Sequence, residues 1–373
     1  MKFSRFLLPG LTAFSLFGAA PNALAGGALG DPCAARRKPG SLLIFPEFDN
    51  RTANVTFFTI TNTNRDFTQD PVTDLPAGSV RVHMIYVGRY DSDDLPIPCL
   101  EVDREILLTP GDTFTFLTRA HNPQHEQGFM YAYATHPTTQ EPIVFDYLIG
   151  NAVFLNGMDA LDYSMNPISL RGFCENDNDL KEDFGPQVQC PETDADGDGN
   201  RDLDGIEYEE LPDQILIPRF LASAGCVCSP QQRSELILLG LSGGAVFDTV
   251  ADFLVYNDNE EVFSAQRQFR CWERIRLDVI STVFLQSFLV TTNHAANEPL
   301  GATTRESGWI HIDGGVAFSS VEQIVNPAVY AVLVERVARA AGAADLPFEV
   351  GCNPNGSLWP NGPLGDNVLG DNR

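Results

Sequence analysis

Apolar and polar positions alternate along most of this chain, in short runs. Val80, Val82, Met84 and Tyr86 fall on one side of an extended segment and Arg81 and His83 on the other, the period-two pattern of a half-buried strand. Runs rich in Val, Ile, Phe, Tyr and Thr recur throughout, each bounded by Gly, Pro, Asn or Asp, as strands between turns are. Thr109-Pro-Gly-Asp112 lies between two such runs and predicts a tight turn with proline at its first corner. The segment from Pro327 to Ala341, with Asn326 as a possible cap, is open to a helical reading. Its β-branched content and its place in the repeat described next favour a strand. Many short strands with few helical stretches predict an all-β fold of antiparallel sandwiches, immunoglobulin-like in kind.

The pattern runs twice. Residues 41–157 and 214–337 line up in order. Leu42–Pro46 resembles Gln214–Pro218, Val55–Asn62 matches Glu235–Gly240, and Val80–Tyr86 matches Val250–Tyr256. Cys99 and Cys271 take equivalent places, Gly128–Tyr133 matches Gly308–Ile312, and Pro142–Ile149 matches Pro327–Val334. The chain therefore divides into a first β-sandwich at 41–160, a linker at 161–212 and a second β-sandwich at 213–350. The two sandwiches are read as an internal duplication. Residues 26–40 precede them, and a tail at 351–373 follows, its Asn, Gly and Pro from Asn353 onward predicting loop.

The linker carries the most specific chemistry. Asp194, Asp196, Asp198, Asp202, Asp204 and Glu207 alternate with small residues, and Arg201 is the only base among them. Carboxylates this dense repel one another unless a cation neutralises them, and calcium, a hard ion with many oxygen ligands, suits them. Two registers compete. Counting from Asp196 gives an EF-hand-like loop: Asp196, Asp198 and Asn200 as side-chain ligands, Asp202 through its carbonyl, Asp204 directly or through water, and Glu207 closing the site. That register has Arg201 at position six, where the sharp turn wants glycine. Counting from Asp194 puts Gly199 there but places Gly205 where the closing glutamate belongs. The Asp194 register resembles the DxDxDG loops of dockerin modules and thrombospondin type 3 repeats, over fewer than twenty residues. The resemblance implies calcium and nothing about the rest of the chain.

Composition changes the picture in two ways. Met1–Arg5 is a short basic start, followed by an apolar run to about Ala20 and a small-x-small site at Ala23-Leu-Ala25. This reads as a secretory signal peptide over residues 1–25, so the protein is expected outside the cytoplasm, extracellular or periplasmic. No later segment has the apolar length of a membrane span. The formal charge of −26, more negative still without Lys2 and Arg5, argues against nucleic acid or an anionic membrane as partner. Eight cysteines, Cys33, Cys99, Cys174, Cys190, Cys226, Cys228, Cys271 and Cys352, predict up to four disulfides of undetermined pairing in an exported chain.

No catalytic motif stands out. His121 and His125 have the HxxxH spacing of a zinc protease, but Pro123 lies between them and no glutamate follows the first, so a polar surface loop is the expectation. His83 and His311 fall in strands. Trp272, Trp309 and Trp359 are candidates for a sugar platform, although a buried Trp in each sandwich core is the commoner fate. The resulting expectation is an exported, non-catalytic, calcium-binding β-sandwich protein. Its role would be that of a surface, matrix or binding module for an extracellular protein or polysaccharide. The alternative is a secreted polysaccharide-acting hydrolase or a carbohydrate-binding module.

Overall fold

In the first half of the chain, alternation produces nine strands: β1 (Leu42–Asp49), β2 (Asn54–Asn62), β3 (Val80–Tyr90), β4 (Pro96–Leu108), β5 (Thr113–Leu117), β6 (Gln127–Thr135), β7 (Leu148–Asn156), β8 (Leu161–Met165) and β9 (Ile168–Leu170). They form two antiparallel sheets, ordered β4-β3-β6-β1-β9 and β5-β2-β7-β8. Val80, Val82, Met84 and Tyr86 all point into the core, as their alternation requires. The sheets meet through Phe45 of β1 and Phe58 of β2, whose rings stack at 4.5 Å. Between β4 and β5, Asp112 donates its backbone N–H to Thr109 O and Gly111 takes φ +76°. This is the turn expected from Pro110-Gly111, with glycine where the backbone turns left-handed.

The second half begins after β10 (Arg201–Leu203) and contains β11 (Gln214–Leu221), β12 (Gln232–Gly240), β13 (Asp248–Asn257), β14 (Val262–Arg270), β15 (Trp272–Arg276), β16 (Ser307–Phe318), β17 (Gln323–Val325), β18 (Val329–Val337), β19 (Ala341–Asp345), β20 (Phe348–Val350) and β21 (Gly356–Leu358). Its sheets run β14-β13-β16-β11-β20, with β17 beside β16, and β15-β12-β18-β19. Taken in order, β11 to β16 stand where β1 to β6 stand, and β18, β19 and β20 where β7, β8 and β9 stand. Even the irregularities agree: β1 bulges between Phe45 and Phe48, and β11 between Ile217 and Phe220, in each case at a proline.

The computed structural model describes residues 38–90, 96–157, 161–173, 201–223, 232–257, 260–292, 306–337, 341–345 and 347–358, all within the compact unit Asp31–Arg373. Among them no helix is long and apolar enough to cross a membrane. Pro327–Ala341 contributes strand β18, as its β-branched content indicates.

Several boundaries differ from the sequence expectation. Residues 161–170, placed in the linker, form β8 and β9 within the first pair of sheets. Gly356–Leu358, expected as loop, pairs with Arg201–Leu203. The match of Pro142–Ile149 to Pro327–Val334 is out of register, since Leu148 faces Asn62 as Val329 faces Gly240. Cys99 lies near the start of β4 whereas Cys271 follows the end of β14, so they are not equivalent. They are bonded to each other, 172 residues apart.

That disulfide joins the halves, and a set of buried polar contacts lies beside it. Trp272, wholly buried, donates its indole N–H to Pro46 O at 2.8 Å. Arg274 of β15 reaches Glu47 of β1 at 2.6 Å and the Tyr163 hydroxyl of β8 at 2.9 Å. Its Nε donates to Glu235 at 2.9 Å, and Tyr163 in turn donates to Glu47. Strands β8 and β19 lie alongside each other.

His125 does lie in a loop, residues 122–126, but neither it nor His121 is exposed. His121 closes the short helix α1 (Thr118–His121), and its Nδ1 lies 2.9 Å from the Tyr86 hydroxyl. His125 is only 5% exposed, its ring packed over Gly88, where an added Cβ would collide with it. Burial pulls both imidazoles down to about 4, helped at His121 by the Arg104 charge. Because the unfolded histidines titrate near ~6.5, the unfolded chain binds more protons between those values, and stability falls as pH drops from about 6.5 to 4. Guanidinium midpoints measured at pH 7.5, 6 and 4.5 should decline, and His125→Gln should flatten the decline.

Candidate functional site

The described end of the acidic stretch is docked onto the first half. Phe173 donates its N–H to Glu207 O, and the Glu209 and Arg171 backbones join at 3.0 Å. The wholly buried Glu209 carboxylate holds Arg171 Nε at 2.5 Å. Tyr208 is also wholly buried. Between these anchors, residues 202–208 make a tight turn. Tyr208 donates to Asp202 O at 3.2 Å, Gly205 donates to Tyr208 O at 2.9 Å, and Gly205 takes φ +86°, a conformation that favours glycine.

Of the seven expected calcium ligands, Asp202, Asp204 and Glu207 fall in this turn. The buried Glu207 carboxylate accepts the Asp202 N–H at 2.9 Å, and Asp204 accepts the Ile206 N–H at 2.8 Å. Asp194, Asp196, Asp198 and Asn200 lie outside the described residues. Among the described residues no group of three or more acidic, histidine or cysteine side chains has metal-holding geometry. Arg201, the base of the stretch, is 6% exposed, and its guanidinium lies over the Tyr133 ring at 5.1 Å. Its polar and acidic neighbours in sequence, Asn200 and Asp202, gave no hint of that placement.

The two large sheets differ in how their outer faces are covered. In the first, every residue of β1 and β6 is buried. The face away from the core carries Tyr131, Tyr133 and His83, with His83 stacked on Tyr133 at 5.1 Å. His83 also lies 3.5 Å from Asp103 and 3.4 Å from Glu105. Arg201 covers Tyr133 from above.

In the second sheet, burial alternates along β13, β14 and β16, so one face remains in solvent. It bears Tyr256 and Trp309, stacked at 3.9 Å, with Trp309 37% exposed. Farther along the same strands a groove of about 560 Å³ is lined by Asp252, Leu254, Ser264, Gln266, His311 and Asp313. Asp252 faces Asp313 across the β13–β16 ladder and accepts from Gln266 Nε2 at 2.6 Å. Asp313 Oδ1 and His311 Nε2 are enclosed without a hydrogen-bond partner. Burial, then the nearby Asp213 carboxylate, raises the Asp313 carboxyl above the usual range, with Asp252 adding to the effect. The sequence placed His311 in a strand, but the carboxylates that meet there are far apart in the chain. Trp272 is buried and Trp309 exposed, and Trp359 lies outside the described residues.

No protein-family model matches this chain, and a comparison with curated proteins finds no relative.

Proposed function

We propose that the chain is an exported, non-catalytic binding protein, made by duplication of one immunoglobulin-like β-sandwich, whose acidic stretch at 194–207 binds calcium. The observation that carries the calcium reading is the 202–208 turn. It folds Asp202, Asp204 and Glu207 into one short turn, with the Glu207 carboxylate accepting the Asp202 N–H, at the end of a segment whose remaining acids have loop-ligand spacing. The Asp196 register is favoured, because the position the Asp194 register assigns to the closing ligand is Gly205, which the turn uses for its left-handed backbone. The matching strand orders and matching bulges support duplication.

Calcium would act locally. The halves are clasped directly by Cys99–Cys271 and by Arg274, so the ion orders the stretch rather than setting an angle between two free bodies. Calorimetric titration with calcium is expected to show one saturable site and a raised melting temperature, by the linkage of ligand binding to folding. Asp196→Ala/Asp198→Ala should remove both effects. Absence of binding by the unaltered chain would end this reading.

A second reading, a polysaccharide-binding or polysaccharide-cleaving protein, is favoured by one observation: Asp252 and Asp313 face each other on the sheet surface that bears the exposed Trp309. Paired carboxylates beside an aromatic ring are what glycoside chemistry uses. Release of reducing ends from oligosaccharides, lost in Asp313→Asn, would establish it.

A further inference from the structure

The second large sheet is half open where the first is closed, and the two can be compared position by position. Gly128 faces Phe48 as Gly308 faces Phe220. Counting from these glycines, Tyr131 corresponds to His311 and Tyr133 to Asp313. On the neighbouring strand, Gly88 faces Gly128 as Asn257 faces Gly308, so His83 corresponds to Asp252. In the first sheet the position of Tyr133 is occupied from above by a guanidinium of the same chain, Arg201. In the second sheet the corresponding position holds a carboxylate, opposite another carboxylate, and both line a groove. Aromatic faces attract a guanidinium through their quadrupoles; a carboxylate attracts it more strongly and directs it by charge-assisted hydrogen bonds.

We propose that this outer face of β13, β14 and β16 is a docking site for an arginine-bearing segment of a partner protein, with the guanidinium seated between Asp252 and Asp313. Three features of the face select that occupant. Asp213 joins Asp252 and Asp313 in the field around Asp313, and the groove lining contains no lysine or arginine. His311 Nε2 and Asp313 Oδ1 are enclosed and without partners, a costly arrangement that a donor-rich ligand relieves. Around the groove, Leu254, Val262, Trp309 and Phe348 are exposed, Phe348 to 58%, an apolar rim of the kind that marks interaction surfaces. A neutral glycan would use the rim but not the charge. The proposal rests on the binding-protein reading above but uses no residue of the calcium stretch, so the two fail separately.

The test is an NMR titration of the purified chain with acetyl-Gly-Arg-Gly-amide, and with the same peptide carrying citrulline, which keeps the shape of arginine and removes its charge. Saturable shifts confined to β13, β14 and β16 are expected, with the citrulline peptide at least tenfold weaker. Asp313→Asn should weaken the arginine peptide at least tenfold. Leu254→Arg, at an exposed position where folding is little affected, should place a guanidinium in the groove and block the peptide. The same titration in excess chelator should be unchanged, which separates this site from calcium. Equal binding of both peptides, full binding by Leu254→Arg, or shifts produced only by a neutral oligosaccharide would each overturn the proposal.

Discussion

Arg274→Met is expected to lower the free energy of unfolding by about 3–5 kcal/mol, the usual cost of stranding a buried charge by removing its partner. Two carboxylates depend on Arg274. Glu47 is wholly buried in the bulge of β1, and Glu235 is 7% exposed in β12. Burial works to raise the Glu235 carboxyl, but Arg274, and after it Arg336 and Arg233, outweigh burial and hold it below the usual glutamate range. A carboxyl lowered on folding contributes stability that is present above its unfolded value, near ~4.3, and lost as pH falls through its folded value. In Arg274→Met the strongest lowering influence on Glu235 is gone, so it protonates at higher pH. The deficit against the unaltered protein should therefore be largest near pH 7 and shrink below about pH 4.5. Adding Glu47→Gln to Arg274→Met should recover about 1 kcal/mol or more, because the pair is coupled. Guanidinium unfolding of the parent, the two single variants Arg274→Met and Glu47→Gln, and the double variant at pH 7 and pH 4 checks this. A single variant within ~0.5 kcal/mol of the parent would mean that the ion network does not hold the halves together.

The joint also shows where sequence reading stopped. Strands were legible because alternation is local: Val80 to Tyr86 displays its buried face within seven residues. The correspondence of the halves was legible at Pro46 and Pro218, where a bulge sits at the same place in both. It failed one strand later. Aligning Tyr86 with Tyr256 is attractive by residue type, but the ladders match Tyr86 with Val255, both facing the core. A slip of one residue exchanges the faces of a strand, so the outward row of Asp252, Leu254 and Tyr256 was hidden by it. Glu47 and Arg274 are 227 positions apart, and no periodicity links residues at that distance. In the acidic stretch, the residue types raise the expectation of calcium, whereas the docking of Glu209 on Arg171 is a tertiary event invisible in composition.

Removal of the Cys99–Cys271 disulfide by a double Ala substitution is expected to cost about 5 kcal/mol, the loop-closure entropy for a cross-link spanning 172 residues. This loss acts through the unfolded chain, which gains freedom, so it should add to the loss from Arg274→Met only as far as the two sites are independent. The backbone gives a way to separate the cross-link from its setting. Cys99 and Cys271 take φ +42° and +45°, in the left-handed region that costs a residue with a Cβ about 1–2 kcal/mol. An Ala pair keeps that cost; a Gly pair relieves it, at the expense of some extra freedom when unfolded. The Gly pair should therefore be more stable than the Ala pair by up to about 1 kcal/mol while both remain well below the oxidised parent. Equilibrium unfolding of the three proteins decides the matter. If the Ala and Gly pairs match the parent, the disulfide is redundant with Trp272 and Arg274, and the clasp between the halves is entirely noncovalent.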